Sequence, residues 1–264
     1  HLCHFLEALG IHEPSRVSRD HLLDFLEDSQ DQGLRAVSLA RRLVSVKMFF
    51  RYLLHERIID TDITDVMEGP RLHQVLPDFL QAGEVDRLLR AYGGRDKLEQ
   101  RNRAILELLY AAGLRVSEAA NATLDWLDLD RGLVRVTGKG RKQRLVPVGR
   151  TARTWLRKYV DQSRKQLDHT GESVFLFLSV RGRPLTRKRI WDVVKEAARR
   201  ANITKNVYPH MLRHSFASHL LDGGADLRVI QEMLGHADIA TTQVYTHINQ
   251  GRLANIHKQF HPRA

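Results

Sequence analysis

The chain of 264 residues holds a single cysteine, Cys3. An intramolecular disulfide and a cysteine-rich zinc site are therefore excluded, and a reducing compartment fits. No apolar run approaches the length that spans a membrane, and no secretory signal pattern opens the chain, so a soluble protein is expected. Internal repeats and low-complexity tracts are also missing. Negative charge is in short supply: 31 Asp and Glu face 42 Lys and Arg, for a formal net charge of +11. A metabolic enzyme of the cytosol rarely needs that excess. A nucleic-acid binder does, because each phosphate it neutralises releases counterions. What is present in quantity is apolar material, 42% of residues, enough for a sizeable core in one or two domains.

Apolar spacing organises the chain. Leu2, Phe5, Leu6 and Leu9 recur with helical period and stop at Gly10. Residue 1 is His rather than Met and lies inside this amphipathic stretch, so the N-terminal domain reads as incomplete. Ser18 starts a second helix with Leu22, Leu23, Phe25 and Leu26 on its apolar face. Ser38 precedes a third, whose Leu39, Leu43, Val46, Phe50 and Leu53 oppose a basic side of Arg41, Arg42, Lys47 and Arg51. With Arg35, this side is either a solvated face or a track for DNA phosphates. Gly69-Pro70, Pro77 and Gly83 then punctuate a polar connection. The division expected is a helical domain over 1–70, a linker over 71–82 and a second domain over 83–264. In the second domain a buried helix around Ile105–Leu109 ends at Gly113, and the helix near Gln81 lacks a Ser or Thr cap. Leu133–Val136 and Arg144–Val148 read as a hairpin with a turn at Gly138-Lys139-Gly140, and Val174–Leu178 as a further strand. Helices are expected over 150–167, 186–201, 209–222, 226–234, 238–248 and 251–259. The fold class is mainly α with a small antiparallel β-sheet, the second domain being α+β.

Chemistry concentrates in a few residues. Two arginines, Arg115 and Arg213, with His210, His236 and Tyr245, could gather in one pocket. Guanidinium forks bind phosphate oxygens bidentately and stay charged at any working pH. Paired around a tyrosine, they suit attack by the phenol on a phosphodiester. Each residue also has an ordinary reading. Arg115 could pair with Glu118, three residues on. Lys139 could sit in a solvated turn. His236 could cap the next helix, and Tyr245 could be core. His210 and Arg213 are spaced to face one side of a helix that begins at Pro209, whose N-terminus attracts anions. His214 reads as packed and structural.

Four segments, in order, carry a resemblance: Tyr110-Ala-Ala-Gly-Leu-Arg-Val-Ser-Glu118, Thr137-Gly-Lys-Gly-Arg-Lys-Gln-Arg-Leu-Val-Pro147, His210-Met-Leu-Arg-His-Ser-Phe-Ala-Ser-His-Leu-Leu221 and Leu234-Gly-His-Ala-Asp-Ile-Ala-Thr-Thr-Gln-Val-Tyr-Thr-His247. The chain resembles the phage-integrase family of tyrosine recombinases, and within it the bacterial Xer recombinases. The resemblance covers nearly the whole sequence. It implies a core-binding domain that clamps DNA, followed by a catalytic domain. It also implies strand exchange through a 3′-phosphotyrosyl intermediate, with neither metal nor ATP and with no cofactor.

By that resemblance Tyr245 is the nucleophile and Arg115 and Arg213 clamp the phosphate. Lys139 protonates the leaving 5′ oxygen, and His210 and His236 assist. Glu118 orients its neighbours from behind. Arg141, Lys142 and Arg144 join Arg35, Arg41, Arg42 and Lys47 on the DNA backbone. The implied partners are a double-stranded recombination site, a sister recombinase in a tetramer on two sites, and a septal DNA translocase. The implied task is chromosome dimer resolution in the cytoplasm, at the nucleoid; an integrase or resolvase of a mobile element would use the same chemistry. The C-terminal face of Leu253, Ile256 and Phe260 would dock into a neighbouring subunit. Two other classes compete. His210 and His214 have zinc-helix spacing, but Met211 stands where the general-base glutamate of that motif belongs. A DNA-binding protein without chemistry would share the charge and the helices.

The charge generates one test that is independent of the resemblance. Affinity for duplex DNA should fall steeply with salt, by about 0.9 in the logarithmic slope for each phosphate neutralised. A flat response in a salt titration contradicts a basic DNA-binding surface.

Overall fold

A computed structural model divides the chain into two units, His1–Leu76 and Pro77–Ala264. It describes residues 1–65, 67, 79–138, 143–235 and 247–263, with the backbone alone over 247–252. Lys139, Arg141, Lys142, His236 and Tyr245 lie outside the described residues, as do linker residues 71–78. Among the described residues no helix is long and apolar enough to cross a membrane.

The first unit is helical. Helix α1 (Leu2–Ala8) ends where Gly10 turns with φ of 73°. Helix α2 (Arg19–Asp31) is capped reciprocally: Ser18 Oγ accepts the His21 amide at 3.3 Å, and the Ser18 amide donates to His21 Nδ1 at 3.1 Å. Helix α3 (Ala36–His55) starts two residues before Ser38, with Arg35 extended at its cap. Its residues Leu39, Leu43, Val46, Phe50 and Leu53 are all buried, a stripe at helical spacing. Most of them meet Leu22 and Phe25 from α2, and the rings of Phe5 and Phe25 lie 5.4 Å apart. Each such side chain contributes roughly 1.5–3 kcal/mol on burial.

The second unit wraps helices around one almost wholly buried helix. Helix α4 (Ala82–Arg90) has Gln81 at its start, and Glu84 folds back to accept the Gln81 amide at 2.8 Å, the carboxylate half of a capping box. Helix α5 (Lys97–Ala111), capped by Asp96, is buried continuously from Arg101 to Ala111. A short helix α6 (Val116–Ala120) follows. The sheet is antiparallel, in the order β1 (Leu127–Asp128), β2 (Leu133–Thr137), β3 (Gln143–Pro147), with Val134 opposite Val146 and Val136 opposite Arg144. Helix α7 (Arg150–Lys158) continues through a π-helical stretch, Tyr159–Arg164, into α8 (Lys165–Leu167). Helices α9 (Arg187–Arg200), α10 (Pro209–Asp222), α11 (Leu227–Leu234) and α12 (His247–Phe260) complete the unit. The architecture is mainly α with a small antiparallel sheet, as the residue pattern implies.

Val174–Leu178 is not a ladder strand. It makes two isolated bridges, Phe175 to Thr123 and Leu178 to Pro184. Leu176, Phe177 and Leu178 are buried. A short apolar run reports burial and leaves the hydrogen-bonding pattern open. Here the partners are scattered: the Leu176 amide donates to Ala122 O at 2.8 Å and the Leu178 amide to the Tyr159 hydroxyl at 3.2 Å.

Gly113 turns the chain out of α5 with φ of 55°, and a Cβ there would stand 2.7 Å from Phe216 Cδ1. Gly83, inside α4, has no atom within 4 Å of such a Cβ. The same substitution should therefore have opposite effects. Gly113→Ala should cost about 2 kcal/mol or more, and Gly83→Ala should stabilise by about 0.4–1 kcal/mol. Thermal unfolding of the two variants measures both; equal shifts would contradict these backbone assignments.

Candidate active site

The turn after α5 sets the first arginine. Gly113 and Leu114 reverse the chain, and Arg115 caps α6 in an extended conformation (φ −71°, ψ 149°). Glu118, three residues on, folds back. Its Oε2 accepts the Arg115 amide at 2.8 Å and its Oε1 accepts Arg115 Nη1 at 3.0 Å. The ion pair with Glu118 is thus real, yet it leaves the Arg115 side chain 37% exposed while Glu118 is only 5% exposed. The guanidinium keeps donors available to a further anion.

Arg213 comes from the first turns of α10 and is buried. Its Nη1 donates to the Gly113 carbonyl at 2.6 Å, two residues before Arg115, and its Nη2 donates to Leu234 O at 2.7 Å. Two of its five N–H groups are used in this way. Burial, together with the neighbouring Arg115 and Arg144 charges, pushes Arg213 down to about 10, with Glu118 opposing. It remains a cation at neutral pH. His210, one turn earlier on α10, is exposed. His214 is half-buried with its ring edge-on to Phe79 at 6.2 Å, the packed role its sequence context suggests.

Arg144 is the main correction. Expected on the DNA backbone, it is only 5% exposed and forks onto Glu118, Nη1 to Oε1 at 2.8 Å and Nη2 to Oε2 at 2.9 Å. Its Nε donates to Met233 O at 2.8 Å. The physical reason is the strand period. Positions 144 and 146 of β3 share the inward face, and Val146 is core. That alternation with Val146 was readable in the sequence. Burial pushes the Glu118 carboxyl up, but the hydrogen bonds and charge of Arg144, with those of Arg115, outweigh it and hold Glu118 below its ordinary value. Among the described residues, three guanidiniums here face a single carboxylate.

On the first unit, Arg35 and Arg41 are exposed. Arg42 is half-buried, bonded to Ser29 Oγ and stacked 5.2 Å from the Phe25 ring, so it braces α3 on α2. Lys47 reaches Asp65 O at 3.4 Å. Among the described residues no group of three or more His, Cys, Asp or Glu side chains is disposed to hold a metal ion.

Helix α12 follows the segment that carries Tyr245 in sequence. In this structure it packs on its own domain. Leu253 is 2% exposed in the core, and Ile256 and Phe260 pack against it. Beyond it the seat is polar and aromatic, a feature the sequence reading missed. The rings of His257 and His261 stack at 4.4 Å, and His261 also faces Tyr110 and Phe216. The Tyr110 hydroxyl meets His219 Nδ1 at 2.8 Å. Arg263 closes the tail on Asp86 at 2.6 Å and Glu107 at 2.9 Å.

This architecture has clear relatives. A model described as the phage integrase family matches residues 78–252, and one for a phage integrase N-terminal SAM-like domain matches residues 1–57. A Pseudomonas putida protein named tyrosine recombinase XerD is 47% identical over 247 residues, covering 94% of this chain and 83% of that protein. A protein of the same name from Oceanobacillus iheyensis is 43% identical over 268 residues, covering 100% of this chain and 90% of its own length. Among solved structures, XerA recombinase aligns with a TM-score of 0.57 at 28% identity, over 99% of this chain and 89% of the other. The post-cleavage complex of XerH on its palindromic difH substrate aligns with a TM-score of 0.71 at 24% identity, over 92% and 72%, a likeness of fold.

The C-terminal seat gives a pH test. Burial lowers His219, His257 and His261, taking His257 from 6.5 to about 4. Between those values the unfolded chain binds protons that the folded one refuses, so stability is lost as pH falls through the window. Denaturant midpoints measured from pH 7 to 4 should fall. His261→Phe should flatten the decline, and an unchanged slope would remove the cluster as its cause.

Proposed function

Because the chain belongs to the phage integrase family and is a site-specific tyrosine recombinase acting on DNA, we propose that Tyr245 is its nucleophile and that Arg115 and Arg213 clamp the scissile phosphate. The phenol oxygen forms a bond to phosphorus as the bond to the 5′ oxygen breaks. The product is a 3′-phosphotyrosyl link and a free 5′ hydroxyl. A phenol titrates near 10, so it needs help at neutral pH. His210 takes its proton or bonds the phosphate, and His236 donates to the same phosphate. Lys139, between β2 and β3 in sequence, returns a proton to the leaving oxygen. The guanidiniums offset the charge that grows on the phosphate oxygens. A 5′ hydroxyl from a second strand then reverses the reaction. The covalent link conserves the bond energy, so the cycle needs no ATP, and the guanidiniums hold the phosphate in place of a metal.

One observation carries this reading. Arg213 bonds the carbonyl of Gly113, two residues before Arg115, and among the described residues this cationic pair is opposed by Glu118. A site built with surplus positive charge is completed by an anion, and a phosphodiester supplies it. The substrate is a double-stranded site. By likeness to proteins named XerD, the enzyme works with a sister recombinase in a tetramer on two sites, in the cytoplasm at the nucleoid. There it resolves chromosome dimers under a septal DNA translocase. The helical domain over 1–70 clamps the duplex through Arg35, Arg41, Arg42 and Lys47. Arg141 and Lys142 touch backbone beside the catalytic hairpin, and residues 83–264 carry the chemistry.

A nicked suicide substrate tests the assignment. Wild type should form a protein–DNA adduct that survives detergent, and Tyr245→Phe should form none. Arg213→Ala should slow adduct formation by about 10²–10³-fold while site binding in a gel shift is largely kept. An adduct mapped to another residue, or binding lost in parallel with cleavage, would overturn it.

A further inference from the structure

Arg144 is too enclosed to reach a DNA backbone, yet three of its five N–H groups are spent on parts of the candidate site. Two go to Glu118, whose oxygens also take the amide and Nη1 of Arg115. The third goes to Met233 O, next to the Leu234 carbonyl that Arg213 takes. The last carbonyls of a helix have no partner within it, and cations are favoured there. Two arginines thus close the end of α11, just before Gly235 turns left-handed at φ of 68°. A Cβ on Gly235 would stand 3.0 Å from Arg144 Cδ, so the side chain lies directly beneath this turn. In sequence the turn leads into His236. Arg144 is also the second residue of β3, opposite Val136 in the ladder. One guanidinium therefore joins three elements: the helix start that presents Arg115, the base of the hairpin that carries Lys139, and the end of α11.

We propose that Arg144 is a positioning residue for strand cleavage, fixing the Glu118 carboxylate so that the Arg115 guanidinium is aimed at the scissile phosphate. The Glu118 carboxylate has one stable pose because a planar fork grips both of its oxygens. Arg115 is half-exposed and would otherwise choose among rotamers. The arrangement costs the desolvation of two buried ions, which a well-packed apolar pair would avoid. Aim, rather than stability, accounts for its retention. The proposal rests on the assignment of Arg115 as a phosphate clamp, and the test separates the two.

The test uses the full chain and two versions of one suicide site, with an ordinary phosphodiester or a methylphosphonate at the scissile position. The methylphosphonate lacks the non-bridging charge, so cleavage of it no longer depends on an aimed guanidinium. Arg144→Met should bind the ordinary site as wild type does but cleave it about 10²-fold more slowly, the scale of a misplacement near 1 Å. On the methylphosphonate most of that loss should vanish, as it should for Arg115→Ala. Arg144→Lys, which keeps the charge without the fork, should behave like Arg144→Met. If Arg144→Met folds poorly, the pair Glu118→Gln with Arg144→Met removes both buried charges and should show the same substrate dependence in a folded protein. Equal losses on the two substrates, wild-type cleavage of the ordinary site, or full rescue by lysine would each overturn the positioning role. If Arg115→Ala itself shows no preference for the methylphosphonate, the clamp assignment fails, and Arg144 loses its proposed target with it.

Discussion

Glu118 is the constraint on which the candidate site depends. A single carboxylate, removed from water, answers the Arg115 guanidinium and amide and the whole fork of Arg144. An unpaired carboxylate at that depth would be protonated, since burial penalises the charged form. Paired as it is, Glu118 stays ionised and organises cations that would otherwise repel one another. Among the described residues the pairing is incomplete, because Arg213 adds a third positive charge without a second negative one. Its own hydrogen bonds go to neutral carbonyls, which orient it and leave its charge uncompensated. The surplus makes the site complementary to an anion, and most of all to one whose charge increases in the transition state.

The scaffold supplies the precision. Helix α5 is buried on every side through its last three turns, so its end is a fixed point. Gly113 then turns the chain where no side chain would fit, against Phe216 of α10. The same α10 delivers Arg213 back to the Gly113 carbonyl. The two arginines are therefore referred to one rigid corner rather than to a loop, which fits the demand for geometry good to a fraction of an ångström. Helix α12 is fastened to the same corner, through His257 on the Ala111 carbonyl at 3.2 Å and Arg263 on Asp86 and Glu107. In sequence, Tyr245 lies between this fastened helix and the end of α11.

Much of this was legible in the residues. The helical stripe of α3, the boundaries of α10 and the hairpin of β2 and β3 follow from spacing and turn chemistry. The pairing of Arg115 with Glu118 follows from their separation of three at a helix start. Other features were hidden for identifiable reasons. Val174–Leu178 announces burial, but its hydrogen bonds go to distant partners. Helix α6 has too few residues to show a period. Arg144 sits in a run with Arg141 and Lys142 that reads as uniformly basic, and only the two-residue alternation with Val146 marks it as inward. The apolar face of α12 was evident, but the surface that covers it was not. The cluster of Tyr110, His219, His257 and His261 joins residues up to 151 positions apart.

The sequence by itself determined the chemistry available, the family, the fold class and the order of the elements. These depend on residue type and short-range spacing, which a linear string records. The tertiary structure alone decided which cations share a carboxylate, which arginine is buried beneath the site rather than turned toward DNA, and where the C-terminal helix rests. Those outcomes depend on contacts between segments far apart in the chain. Burial and pairing set the energy of a charge, and neither can be assigned until the fold has chosen its neighbours.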